Sequence, residues 1–135
     1  MSDRYETEQQ IQAVVQGFES CTTARDNFRH REHLTVAVWY LRNSTPEQAF
    51  EKMRSGLFRF LDHHGVGRTK YKEALTLSWL KLIQSVIEQM NADLTLTEVT
   101  NIVLENLGDP RLISQFDTES NSGDAKKGSR SSDAG

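Results

Sequence analysis

Apolar residues along most of this chain recur at intervals of three and four positions, with polar residues between them. This spacing places apolar side chains on one face of an α-helix, whereas a half-buried strand alternates at every second position. No segment shows that alternation, so the pattern predicts an all-α protein. Five helices are expected, at about residues 5–20, 29–43, 46–64, 70–91 and 96–107.

Three of these boundaries carry capping residues. Thr45 is a good N-cap, and Pro46 fits the first helical position because its missing N–H has no partner there anyway. Gly65 is expected to end the third helix in a left-handed conformation. Thr95 and Glu98 form a Thr-x-x-Glu capping box at the start of the fifth helix.

The chain divides into a helical part and a polar tail. Residues 118–135 contain no Leu, Ile, Val, Phe, Tyr or Trp. Such a segment buries too little apolar surface to offset its chain entropy, so a disordered tail is expected. Residues 1–117 are expected to form a single helical bundle of about five helices, because short connections make neighbouring helices antiparallel.

Composition excludes several classes of protein. The net charge is −3, and the basic residues of the central helices are spread over three helices, so nucleic acid is not an expected partner. A single cysteine, Cys21, cannot form an internal disulfide. The polar N-terminus does not resemble a signal peptide, and no apolar run approaches the roughly 20 residues that span a bilayer. We therefore expect a soluble, cytoplasmic protein without a membrane partner.

Ionisable residues cluster near three predicted helix ends. His30 and His33 lie at the start of the second helix, His64 at the end of the third and Lys72 at the start of the fourth. Each falls in phase with the apolar stripe of its helix, and the antiparallel arrangement brings these three ends together. We therefore expect a polar pocket at one end of the bundle, with Tyr71 and Glu73 beside it.

Three interpretations of this cluster remain open. His30, His33 and His64, with Glu73 or Glu32, are suitable ligands for a divalent transition metal; Glu73 would then be the catalytic base for a metal-activated water. Alternatively, Lys72, Arg29 and the histidines would bind a small anionic ligand. In the third interpretation the histidines are structural, hydrogen-bonded at helix ends, and the protein is a non-catalytic helical interaction module.

Three motifs give the chain a resemblance to known proteins. They are FRHREHL at 28–34, HG at 64–65 and YKEALT at 71–76. With these motifs the chain resembles, over about residues 11–116, a group of small, uncharacterised all-α bacterial proteins whose patterns are FxHxxHL, HG and YHETLT. The resemblance implies a helical fold and a shared surface but no particular reaction. The positions that carry over are His30, His33, His64, Tyr71, Glu73 and Thr76.

The chain departs from that group at two positions of the last motif. Lys72 stands where the pattern has histidine, and Ala74 stands where it has threonine. An ammonium group is a poor metal ligand unless it loses its proton. The sequence thus predicts a pocket for a divalent metal or a small anionic ligand, with Arg29, Tyr71, Lys72 and Thr76 as ligand-binding residues, and it fixes neither a reaction nor an oligomeric state.

Overall fold

The chain folds as a bundle of α-helices. The computed structural model describes residues 4–109 and 111–112, and in that part of the chain no strand occurs. The all-α prediction is confirmed. The predicted tail at 118–135 lies outside the described residues, as does most of the predicted last turn toward Phe116. The helices are α1 (Glu8–Glu19), α2 (His30–Asn43), α3 (Pro46–His63), α4 (Glu73–Glu88) and α5 (Leu96–Leu107), with short 3₁₀ turns at Arg25–Asn27 and Arg68–Lys70.

The predicted caps form as expected. The Thr45 hydroxyl accepts a hydrogen bond from the Gln48 N–H over 3.1 Å, with Pro46 in the first turn of α3. The Thr95 hydroxyl accepts from the Glu98 N–H over 3.1 Å, and the Glu98 carboxylate accepts from the Thr95 N–H over 2.8 Å. Gly65 follows α3 with a positive φ of 70°, a conformation that glycine adopts without strain. These caps fix the starts of α3 and α5 and the end of α3.

Two predicted helices are shorter than the apolar pattern indicated. α1 begins at Glu8 rather than near residue 5, because Thr7 and Gln10 form a capping box there. α4 begins at Glu73 rather than at residue 70, and it ends at Glu88 rather than at 91. Tyr71 and Lys72 precede α4 in extended backbone conformations. The apolar periodicity could not show where α4 begins, because the spacing of these residues still matches the apolar stripe of the helix although they precede it.

Helix α2 is the centre of the bundle, since it packs against α1, α3, α4 and α5. Six of its residues are buried, in a continuous stretch broken only at Trp39: Leu34, Thr35, Val36, Ala37, Val38 and Tyr40. A helix with neighbours on several sides is buried on most of its circumference, which explains why consecutive residues of α2 are buried rather than a single stripe. Its first turn lies close to the end of α3, the start of α4 and the end of α5.

Three phenyl rings fill the core below that first turn. The Phe18 and Phe28 rings stack with centroids 4.7 Å apart, and the Phe60 ring lies 5.7 Å from Phe18 and 5.0 Å from Phe28. Gly56 of α3 lies against this cluster. A Cβ atom there would come within 2.5 Å of the Phe18 ring, so the absence of a side chain allows α1 and α3 to approach.

The segment before α1 is tied to α5. The Tyr5 N–H donates to Asn101 Oδ1 over 2.8 Å, and Asn101 Nδ2 donates to the Tyr5 carbonyl over 2.9 Å. The Tyr5 hydroxyl also lies 3.0 Å from the Thr35 hydroxyl on α2. Asn101 and Thr35 are buried, so these contacts satisfy polar groups that would otherwise be costly in the core.

In the described part of the chain, no helix has an apolar stretch long enough to cross a membrane.

Candidate functional site

A pocket of about 530 Å³ opens between α2, α3 and the start of α4. Its walls are mainly apolar, and the three predicted helix ends contribute to it together. The polar side chains that line it are Arg25, His30, His33, Tyr71, Lys72 and Thr76, and the apolar lining includes Phe28, Leu34, Met53, Leu57, Phe60, Leu75 and Trp79. The structure therefore brings together five of the residues singled out in the sequence, His30, His33, Tyr71, Lys72 and Thr76.

His30 is held by two contacts at the start of α2. Its Nε2 lies 2.9 Å from the carbonyl oxygen of Leu107, the last residue of α5. A carbonyl only accepts hydrogen bonds, so Nε2 carries the proton and donates it. The imidazole ring also lies 4.6 Å from the Trp79 ring of α4. The Nε2 atom of His30 is thus occupied by backbone, and only Nδ1 has a free lone pair.

His33 lies one turn further along α2, against the Phe28 ring at 4.4 Å. Burial, together with the positive charge that His30 can carry, lowers the pKa of His33 to about 4. His33 is therefore neutral at physiological pH. It contributes a dipole and a hydrogen-bonding nitrogen to the pocket, but no charge.

His64 does not line the pocket. Its ring packs on Phe60 at 4.4 Å and on His63 at 5.0 Å, and its buried Nε2 has no hydrogen-bond partner among the described residues. The contacts that lead from His64 to His33 run through the Phe60 and Phe28 rings. His33 and His64 thus pack on two different phenyl rings, which contact each other.

The predicted metal set is therefore not assembled. Within residues 4–109 and 111–112, no three His, Cys, Asp or Glu side chains form a group that could hold a metal ion. The apolar phase of His30, His33 and His64 correctly indicated inward-facing positions, but phase does not reveal which side chains fill the space between them.

Glu73 and Arg29 lie outside the pocket lining. Glu73 begins α4, is exposed and accepts a hydrogen bond from Arg54 Nε of α3 over 2.9 Å. Arg29 caps α2: its backbone N–H donates to the Glu32 carboxylate over 2.9 Å, and its Nε donates to the Asp26 carbonyl over 3.0 Å. Both residues thus have local partners, and their catalytic and ligand-binding roles stay predictions.

Tyr71, Lys72 and Thr76 line the side of the pocket next to α4. The Tyr71 hydroxyl is buried and has no hydrogen-bond partner among the described residues. Burial raises the pKa of Tyr71, and the neighbouring Thr76 side chain partly offsets this. Lys72 is exposed, and it forms no ion pair in the part of the chain that the structure describes. Its ammonium group is available at the mouth of the pocket.

Two lining residues were not among the site residues predicted from the sequence. Arg25 lies in the 3₁₀ turn before α2, where helical periodicity gives no information. Its side chain is exposed, and its one ion pair among the described residues is a long contact of 3.6 Å with Asp26. Trp79 matched the core stripe of α4, yet it is only half-buried and lines the pocket. The available signal for Trp79 was its aromatic side chain, which can stack on a ligand as well as fill a core.

Comparison with known proteins does not assign a family. No protein-family model, no curated protein and no solved structure matches the chain. The resemblance to the group of helical bacterial proteins therefore stays a prediction.

Proposed function

We propose that this protein binds a small amphipathic anion, with the apolar part of the ligand in the pocket between α2, α3 and α4 and its anionic group at the mouth. The observation that supports this most strongly is the composition of the lining. Two cationic side chains, Arg25 and Lys72, accompany a mainly apolar wall, and no carboxylate occurs among the lining residues that the structure describes.

The volume and wall of the pocket suit an organic ligand. About 530 Å³ lies within the range of about 300–1,000 Å³ that is typical of small-molecule sites. Apolar surface contributes roughly 25 cal/mol for each Å² removed from water, so an alkyl or aryl group would supply most of the affinity. A ligand without such a group would leave the walls formed by Phe28, Leu57 and Trp79 unused.

The charges of the pocket favour an anion over a cation. His33 is neutral at physiological pH, so it does not repel either sign. Arg25 and Lys72 attract a carboxylate or phosphate and repel an ammonium ion. Because both cations are exposed, solvent screens them, and we expect them to select the sign of the ligand more than to determine its affinity.

The metal hypothesis draws less support from the geometry. His30 Nε2 is occupied by the Leu107 carbonyl, and the Phe28 and Phe60 rings link His33 to His64. A role for Glu73 as a base would require its carboxylate to leave Arg54. The anionic-ligand hypothesis requires neither rearrangement.

Tryptophan fluorescence provides the test. The chain has two tryptophans, Trp39 and Trp79, so a Trp39→Phe variant reports on the pocket through Trp79 alone. In this variant we expect octanoate to change the emission saturably, and octylamine, which has a similar chain and the opposite charge, to have little effect. Adding Arg25→Ala and Lys72→Ala is expected to weaken octanoate binding several-fold.

Lys81→Ala is the matched control, because Lys81 lies on α4 but does not line the pocket. Its affinity for octanoate should equal that of the parent. Equal binding of octanoate and octylamine, or no saturable binding of octanoate, would contradict the proposal. Stoichiometric binding of Zn²⁺ by calorimetry, abolished by His33→Ala, would favour the metal hypothesis instead.

A further inference from the structure

Helix α4 is covered less than the other helices of the bundle. Only Leu80 and Ile83 of its sixteen residues are buried, compared with six buried residues each in α2 and α5. Among the described residues, the exposed large apolar side chains are Leu75 at 38% and Leu77 at 36%, and both belong to α4. A helix with apolar residues on most of its circumference is normally buried on most of it.

Part of this uncovered surface forms a groove distinct from the pocket. The groove has a volume of about 470 Å³ and runs between α4, the first half of α3 and the end of α2. Its floor is apolar and consists of Leu41, Pro46, Phe50, Leu77 and Leu80. Apart from Leu80, which contributes to both, none of these residues lines the pocket.

The rim of the groove is acidic. Glu47 and Glu51 lie on α3 and Glu88 lies at the end of α4, whereas Lys81 is the one cation among the lining residues described. Three carboxylates thus border an apolar surface, and among the described residues Glu47 and Glu51 form no ion pair, although the charge of Glu51 acts on the nearby Arg54.

We propose that this groove binds a basic amphipathic helix of a partner protein. Apolar side chains at positions i, i+3 or i+4 and i+7 of that helix would occupy the floor, and flanking Lys or Arg residues would pair with the rim. From Leu77 to Glu88 the groove follows α4 for about 16 Å at 1.5 Å per residue, which matches about three turns of a bound helix.

The charges favour a basic partner over a second copy of this chain. A two-fold symmetric dimer would place the same patch on both sides of the interface. Two rims, each with three carboxylates and one lysine, would then face each other, and the excess of like charge would oppose that arrangement. A basic helix meets the same rim with opposite charges.

Two labelled model peptides test the proposal by fluorescence anisotropy. Both carry Leu at the same i, i+3, i+4 and i+7 positions, and the remaining positions are Lys-rich in one peptide and Glu-rich in the other. We expect saturable binding of the Lys-rich peptide and none of the Glu-rich peptide. Binding of the Lys-rich peptide should fall at least tenfold in Leu77→Ser, a change at an exposed position that leaves the core intact.

A pair of charge reversals separates the groove from general attraction to an acidic protein. Glu47→Lys with Glu51→Lys should weaken the Lys-rich peptide at least tenfold. Glu6→Lys with Glu8→Lys makes the same change in net charge. Both positions are exposed, at or just before the start of α1, and neither lines the groove, so this variant should have little effect. Equal losses in both variants, absence of binding, or a wild-type dimer in light scattering that Leu77→Ser dissociates would each overturn the proposal.

Discussion

The imidazole Nε2 of His30 donates a hydrogen bond to the carbonyl oxygen of Leu107 over 2.9 Å, and so joins the first residue of α2 to the last residue of α5. The last carbonyls of a helix have no partner within the helix. His30 supplies one from a residue 77 positions earlier in the chain. A histidine that sequence motifs place in a binding site therefore also has a structural role.

Replacing His30 should destabilise the bundle. His30→Ala removes the donor to Leu107 and the contact with Trp79, and we expect a loss of about 1–3 kcal/mol in the free energy of unfolding, measured with urea. The exposed His63 provides the control, since His63→Ala should change stability by less than about 0.5 kcal/mol. Equal stability of the two variants would show that the His30 contacts contribute little.

His33 should make the stability depend on pH. Its pKa is about 4 in the folded protein and about 6.5 when unfolded, so between these values the unfolded state binds more protons. The contribution of neutral His33 to the free energy of unfolding is therefore complete above pH 6.5, and it decreases as the pH falls to about 4. The full effect is at most roughly 3 kcal/mol. Urea titrations between pH 7 and pH 4 measure it.

Carboxylates also titrate near the lower end of that range, so the prediction concerns a difference between variants. His33→Gln should flatten the dependence between pH 6.5 and 5 relative to the wild type. His63→Gln should retain it. A wild-type slope that His33→Gln leaves unchanged would show that His33 is protonated equally in both states.

Gly56 should not tolerate a side chain. The Cβ of Gly56→Ala would lie 2.5 Å from the Phe18 ring, so α1 and α3 must separate or the Phe18 ring must move. Overpacking of this kind typically costs about 1–3 kcal/mol. Ser55→Ala, at an exposed position of the same helix, is the control and should be nearly neutral. A Gly56→Ala protein more stable than the wild type would contradict the close helix contact.

Asn101 should control how firmly the N-terminal segment is attached. Asn101→Ala removes both hydrogen bonds to the Tyr5 backbone and is expected to cost about 1–3 kcal/mol. The Tyr5 amide should then exchange with solvent deuterium much faster, by NMR. Asn106→Ala changes an exposed asparagine of α5 and should leave that amide protected. Unchanged exchange in Asn101→Ala would show that other contacts hold the segment.

The helices could be predicted from sequence because their signals are local. Periodicity and caps such as Thr45 and Thr95 act within one or two turns, and the antiparallel connections then bring His30, His33 and Lys72 to one end of the bundle. The arrangement within that end was not predictable. The partners of His30 and Glu73 are Leu107 and Arg54, and these pairings arise from packing between helices that no local pattern specifies.

The position of α2 at the centre of the bundle also determines when the chain can finish folding. Its buried residues pack partly against α5, and the N-terminal segment is fastened to Asn101 of the same helix. During synthesis on the ribosome α5 emerges after the other four helices. Until then one side of α2 remains exposed to water, so the nascent chain presents an apolar surface that a chaperone could recognise, and a truncation before residue 96 would keep it exposed permanently.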